Sequence, residues 1–158
     1  MDKKFPYRNI LIVCSVNTAR SRMAEGFLKD FFSKIKLGVE VNSGGIASNA
    51  RDGMLISLDA KLAMEEIGIQ LAENALSIDL KKYPKLIEEA DLILTLTNKH
   101  KEEILEFFKI DNKDILTIKE FAGDSGDIED PSMKEELFRK VRDEIIDYLM
   151  KGLNKYEF

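Results

Sequence analysis

Apolar residues along the chain follow two rhythms, and their alternation predicts the elements. Asn9 to Val13 is a continuous apolar run of β-branched residues and leucine, the pattern of a strand buried on both faces. A helical rhythm follows: Met23, Phe27, Phe31 and Ile35 recur every fourth position, with Ala24, Leu28 and Phe32 beside them. That spacing predicts a helix of about four turns carrying one broad apolar stripe. Gly38 ends it, and Val39–Val41 reads as a short second strand. Strand, helix, strand in this order implies a right-handed parallel crossover.

The small and polar stretch Asn42–Gly53 reads as a loop, long enough in a compact domain to be functional. Ser57 is placed to cap a helix over Leu58–Ile67, with Leu58, Leu62, Ala63 and Ile67 facing inward and Gly68 closing it. Ser77–Leu80 reads as irregular or a single turn, and Lys85–Ala90 as a short helix whose first turn suits Pro84. Asp91–Leu96 predicts a third buried strand, Asn98 a cap for the helix Lys99–Phe108, and Ile115–Ile118 a fourth strand. Ala122–Pro131 is a second polar loop, and a last helix runs from about Met133 to Met150 along the seam Leu137, Val141, Ile145, Leu149. The expected fold is a three-layer α/β/α domain over residues 1–158, doubly wound on a four-stranded parallel sheet. Ligands of such sheets sit beyond the carboxyl ends of the strands, where Cys14 and the two polar loops would converge.

Composition narrows the function classes. The 158 residues are 44% hydrophobic and 34% charged, as in an ordinary globular chain, and the net charge of −5 argues against a general nucleic-acid partner. The longest apolar run, Ile10–Cys14, is too short to span a bilayer, and residues 1–6 lack the apolar segment of a secretion signal. One cysteine permits no internal disulfide, which fits a reducing cytoplasm.

That cysteine stands at the strand-to-helix turn, and Arg20 follows six positions later. A lone cysteine at a strand end is ordinarily a packing residue. Here a small polar loop, an Arg-Ser pair and a helix start follow it, which turns the reading toward a covalent anion site. Only a thiolate is a competent nucleophile, and a helix N-terminus beside a cation favours that form. The backbone N–H groups of Ser15, Val16, Asn17, Thr18, Ala19 and Arg20 are placed to curl into a nest for inorganic phosphate, sulfate or a phosphoryl group. Arg20 adds a bidentate fork, Asn17 tolerates left-handed backbone, and Ser21 is placed both to cap the helix and to donate to the sulfur. No Cys/His cluster calls for a metal, no cofactor fingerprint is present, and His100 reads as a surface or capping residue.

The run from Val13 to Glu25 resembles the signature C-x-G-N-x-C-R-S-P-M-A-E of the low-molecular-weight protein-tyrosine phosphatases. Asn42-Ser43-Gly44-Gly45 is similar to that family's S-A-G loop. Asp91–Leu94 with His100 is similar to its third strand and following helix, and Asp127-Ile128-Glu129-Asp130-Pro131 to its late D-[IV]-x-D-P motif. The resemblance covers about Asn9 to Met150. It implies a phosphatase hydrolysing phosphotyrosine in proteins through a phosphocysteine, without a cofactor or metal. Cys14 would be the nucleophile, Arg20 the phosphate clamp and Asp130 the general acid and base, with Ser21 and Ser43 supporting the loop. Phosphoarginine is the alternative substrate, because Thr18 stands where a phosphoarginine-directed branch has threonine and many tyrosine-directed members have isoleucine. An arsenate reductase or a non-catalytic anion-binding domain ranks behind both. Four departures stand out: Val16 for glycine, Ala19 for the second loop cysteine, Arg22 for proline, and Ser132 where tyrosine-directed members usually carry an aromatic. A β-branched Val16 would be costly if its position required positive φ.

Overall fold

The computed structural model describes residues 3–131 and 134–158, so Ser132 and the predicted helix start at Met133 lie outside the described residues. In chain order the elements are β1 (Lys3–Lys4), β2 (Asn9–Cys14), α1 (Arg20–Lys34), β3 (Glu40–Gly45), α2 (Leu58–Glu65) and the 3₁₀ turn Leu80–Lys82. They continue with α3 (Pro84–Glu89), β4 (Leu92–Thr95), α4 (Asn98–Phe107), β5 (Asp114–Thr117), α5 (Ile118–Phe121), α6 (Glu135–Leu153) and β6 (Tyr156–Glu157). The four-stranded sheet has the order β3-β2-β4-β5 and is parallel throughout.

The pleat of β2 explains the layers. Ile10, Ile12 and Cys14 point into the larger core with α1, α2, α5 and α6, whereas Leu11 and Val13 point into a second core with Ile87 of α3 and Ile104 of α4. A strand covered on both faces must be apolar at its buried positions, and this one is from Ile10 to Cys14. Among the described residues, no helix is long and apolar enough to cross a membrane.

Several elements differ from the sequence expectation for identifiable reasons. Asn42–Gly45 is not loop but the last four residues of β3, pairing residue for residue with Leu11–Cys14. Its small residues reflect close approach: a Cβ on Gly44 would lie 2.4 Å from the Leu80 side chain. Helix α2 packs through Ala60, Ala63 and Met64, while Leu58 and Leu62 are 67% and 46% exposed and Ile67 is also exposed. The alanines let α2 approach its neighbours closely, and buried Arg142 of α6 donates from Nη1 to the Ala63 carbonyl at 2.7 Å. Leucines on that face would hold the helices apart. The cap of α4 is Thr97, not Asn98. β5 stops at Thr117, whose hydroxyl caps α5, an unexpected single turn. In α6 the seam is Phe138, Val141, Ile145 and Leu149, with Leu137 only half-buried. β1 and β6 form a two-stranded parallel pair that no apolar pattern announced.

The α2 packing face makes a stability prediction. Leu58→Gln should move the folding free energy by no more than about 0.5 kcal/mol, whereas Ile145→Ala should cost about 2–5 kcal/mol. Urea midpoints of the two variants measure this, and equal losses would place Leu58 in the core after all.

Candidate active site

The loop from Ser15 to Ala19 joins the end of β2, a central strand of the sheet, to the start of α1. It lies along the end of β3: Ile46 N–H donates to the Cys14 carbonyl at 3.0 Å and Ala47 N–H to the Ser15 carbonyl at 3.1 Å. A Cβ on Gly45 would sit 2.7 Å from the Ser15 carbonyl oxygen and 3.0 Å from Val16 backbone atoms, so this strand end must be glycine. Asn17 is the loop residue at positive φ, 65°. Val16 is not in the left-handed region, and its half-buried side chain helps line an outer cleft with Ser48, Asn49, Ala50, Arg51 and Met54. The cost foreseen for valine at that position does not arise.

Cys14 is buried, with Sγ 2.9 Å from Ser21 Oγ and 3.2 Å from the Asn17 N–H donor nitrogen. The Asn17 amide fixes the proton order around it. Its Oδ1 accepts from Ile78 N–H at 3.0 Å, so Nδ2 is the donor toward both Ser21 Oγ and Ser43 Oγ, each at 2.9 Å. Ser43 passes its own proton to Glu25 Oε1 at 2.6 Å. Ser21, accepting from Asn17, keeps its hydroxyl proton available to donate to the sulfur once Cys14 is a thiolate. Two donors then converge on Sγ, an arrangement that stabilises a negative sulfur. Ser21 does not cap α1: the helix starts at Arg20 with Ala19 as N-cap and no side-chain cap, so Ser21 lies inside the helix, with its hydroxyl on Cys14.

Glu25 is held in turn by Arg22 at 3.0 Å and Lys29 at 2.8 Å. Arg22, where the resembled family has proline, is buried and also donates from Nε to the Asn17 carbonyl at 3.3 Å and from Nη2 to the Leu76 carbonyl. It braces the loop from below. In the sequence Arg22 stands out only as a departure from the signature's proline that adds positive charge, and Glu25 only as the signature's last residue; neither shows as part of a brace.

On the opposite side, buried Arg20 donates from Nη1 to the Ile128 carbonyl at 2.7 Å. This brings the Ala122–Pro131 loop to the nest. Ile128 N–H donates to the Leu96 carbonyl at 2.9 Å, and Asp127 Oδ1 accepts from Asn98 N–H at 2.8 Å. Asp130 is exposed on the same loop and close enough to act electrostatically on His100.

His100 is the residue the sequence reading placed least well. It caps α4 as expected, forming a reciprocal box with Thr97, but it is not on the surface: only 2% is exposed. Nδ1 accepts from Thr97 N–H at 3.2 Å, and Nε2 lies 2.8 Å from Ser15 Oγ. Burial first, then the Arg20 guanidinium, pushes its pKa down to about 4, against the opposing pull of Asp127 and Asp130. The ring is neutral at physiological pH.

A buried thiol at a strand-to-helix turn, an arginine opening the helix and a carboxylate-bearing loop docked on that arginine define a thiol-based anion site on a doubly wound sheet. The comparisons agree. The family described as low molecular weight phosphotyrosine protein phosphatase matches residues 9–156, and the chain belongs to it. A protein-arginine-phosphatase of Geobacillus stearothermophilus is 40% identical over 142 residues, 89% of each chain. The low molecular weight protein tyrosine phosphatase of T. tengcongensis superposes with a TM-score of 0.84 at 31% identity, over 93% of this chain and 98% of that one. A YwlE arginine phosphatase variant with a phosphorylated active-site serine superposes with a TM-score of 0.83 at 31% identity, over 93% and 94%.

The depressed His100 pKa sets a pH dependence. The unfolded chain takes up this proton near 6.5 and the folded chain near 4, so the stabilising contribution is complete above about pH 6.5. It is lost as pH falls from there to about 4, amounting to at most about 3 kcal/mol. His100→Asn should flatten that part of the stability curve, read from thermal midpoints between pH 7.5 and 4. An unchanged slope would contradict the assignment.

Proposed function

We propose that the protein is a cysteine-dependent phosphatase acting on phosphoarginine in proteins through a phosphocysteine. The observation that carries the mechanism is Sγ of Cys14 held between the Asn17 N–H and the Ser21 hydroxyl at the floor of the loop. The thiolate attacks phosphorus in line, forming the S–P bond as the P–N bond breaks, and Asp130 delivers a proton to the departing guanidine nitrogen. The amides of residues 15–20 and the Arg20 fork hold the equatorial oxygens. Asp130, now a carboxylate, takes a proton from water, whose oxygen attacks phosphorus. The S–P bond breaks, and phosphate and the Cys14 thiolate are regenerated. A mechanism that begins from a free thiolate suits a reducing compartment such as the cytoplasm.

The substrate class rests on what surrounds the loop. Thr18 offers a hydroxyl to a guanidino N–H where an aliphatic side chain would offer only packing. The outer cleft is lined by Val16, Ser48, Asn49, Ala50, Arg51 and Met54, none of them aromatic. Glu129 and Asp130, both exposed on the docked loop, would attract a cationic guanidinium over a neutral phenol, against the single cation Arg51 in the cleft. The 40% identical relative named a protein-arginine-phosphatase points the same way. Phosphotyrosine is the second reading, supported by the family match and by the tyrosine phosphatase of T. tengcongensis. An arsenate reductase would need an external thiol, because Cys14 is the only cysteine. A non-catalytic anion binder loses its main support with Val16 outside the left-handed region.

Comparing kcat/KM on phosphoarginine and phosphotyrosine peptides tests the assignment. Phosphoarginine should be preferred, and Thr18→Ile should move the ratio toward phosphotyrosine by about tenfold, the scale of one lost hydrogen-bonded group. Cys14→Ser should show no turnover, and Asp130→Asn should lose about 10²–10⁴-fold. Full activity in Cys14→Ser would end the covalent mechanism, and a wild-type preference for phosphotyrosine would select the second reading.

A further inference from the structure

Two loops far apart in the chain must act within one turnover: residues 14–20 hold the phosphoryl group, and residues 127–130 bring the acid. The Arg20–Ile128 hydrogen bond joins them directly, but Arg20 must also serve the phosphoryl oxygens. A second connection runs through the first turn of α4. We propose that His100 is a positioning residue that sets the register between the phosphate loop and the acid-bearing loop, donating from Nε2 to Ser15 Oγ out of the first turn of α4, which docks Asp127 while the adjoining Leu96 docks Ile128. The proposal rests on the phosphatase reading above.

The hydrogen bonds leave one arrangement of protons. Thr97 N–H points into Nδ1, so the ring proton sits on Nε2 and is donated to Ser15 Oγ, 2.8 Å away. The ring can do both only while neutral, and its burial together with the Arg20 and Lys99 charges keeps it so against Asp127 and Asp130. Its backbone is equally constrained. His100 N–H donates to Thr97 Oγ1 at 3.2 Å, and buried Thr95 Oγ1 donates to the Thr97 carbonyl at 2.9 Å. The residues on either side of Thr97 carry the other loop: the Leu96 carbonyl accepts from Ile128 N–H, and Asn98 N–H donates to Asp127. A histidine serving only to fill the core would need no bond to the residue next to Cys14. Here the side chain reaches out of its own helix to the start of the phosphate loop, from a turn already pinned to the acid loop. Losing Nε2–H while keeping the cap would let the two loops shift against each other by a fraction of an ångström. Proton transfer is sensitive to displacements of that size.

His100→Asn is the informative variant, because the asparagine Oδ1 occupies the Nδ1 position and preserves the Thr97 cap while nothing reaches Ser15. Ser15→Ala cuts the same bond from the other side. Both are measured with wild type on p-nitrophenyl phosphate, whose leaving group needs no proton, and on phenyl phosphate and phosphoarginine, whose leaving groups need one. Both variants should lower kcat/KM, which reads phosphocysteine formation alone, by about tenfold on the proton-requiring substrates, and His100→Asn should lower it on p-nitrophenyl phosphate by less than about twofold. The double variant should lose no more than the worse single one. Equal losses on all substrates, no losses, or additive losses would overturn the positioning role. Wild-type protein that hydrolyses none of the three would overturn the phosphatase reading itself.

Discussion

The side-chain amide of Asn17 is the point on which the geometry around Cys14 depends. Its oxygen is claimed by a backbone N–H of the 77–80 segment, and its nitrogen therefore faces two hydroxyls, one on α1 and one on β3. The left-handed backbone of the same residue turns its own N–H toward Sγ. One residue thus sets loop curvature, tautomer-like proton order and the approach of three separate chain segments. An amide is suited to this because its donor and acceptor ends are rigidly opposed, and because asparagine tolerates positive φ better than other side chains of its size. Glu25 extends the chain of donors, and the cations Arg22 and Lys29 neutralise it, so the carboxylate sits under the loop without opposing an incoming anion.

The strands were the most legible part of the sequence, and burial explains why. β2 and β4 are covered on both faces, so their apolar runs leave no ambiguity of period. The helix α2 was misread because hydrophobicity and size pull apart there. Close packing selected Ala60, Ala63 and Met64, and left leucines outside. β3 was half missed for a related reason: Gly44 and Gly45 read as loop residues, yet they are in the strand to admit Leu80 and the Ser15–Val16 backbone. Pairing between the chain ends in β1 and β6 has no local signal at all, since two-residue strands carry no period.

The site divides along similar lines. Cys14, Asn17, Arg20 and Ser21 lie in one short segment, so spacing alone brings them to notice, and the structure adds Ser43 and Glu25 to them through the Asn17 network. His100 contacts Ser15 across 85 positions of sequence, and from the sequence it reads as a surface or capping residue. The capping half of that reading holds, the surface half does not. Only the three-dimensional path of α4 shows that the other ring nitrogen is engaged with the phosphate loop.

Where the chain departs from the family signature, the structure shows how the steric requirement is met. A tight loop laid against a strand end needs at least one of the two backbones to lack a Cβ at the point of closest approach. Val16 does not supply that space, and its side chain points instead toward the 48–54 segment. Gly45 supplies it from the strand side, 2.7 Å from the Ser15 oxygen by the measure of an added Cβ. With the approach relieved there and positive φ confined to Asn17, the loop is free to carry a β-branched residue at position 16. The substitution therefore changes the wall of the outer cleft, where a substrate's flanking chain would lie, and leaves the closure of the loop around the sulfur as it was.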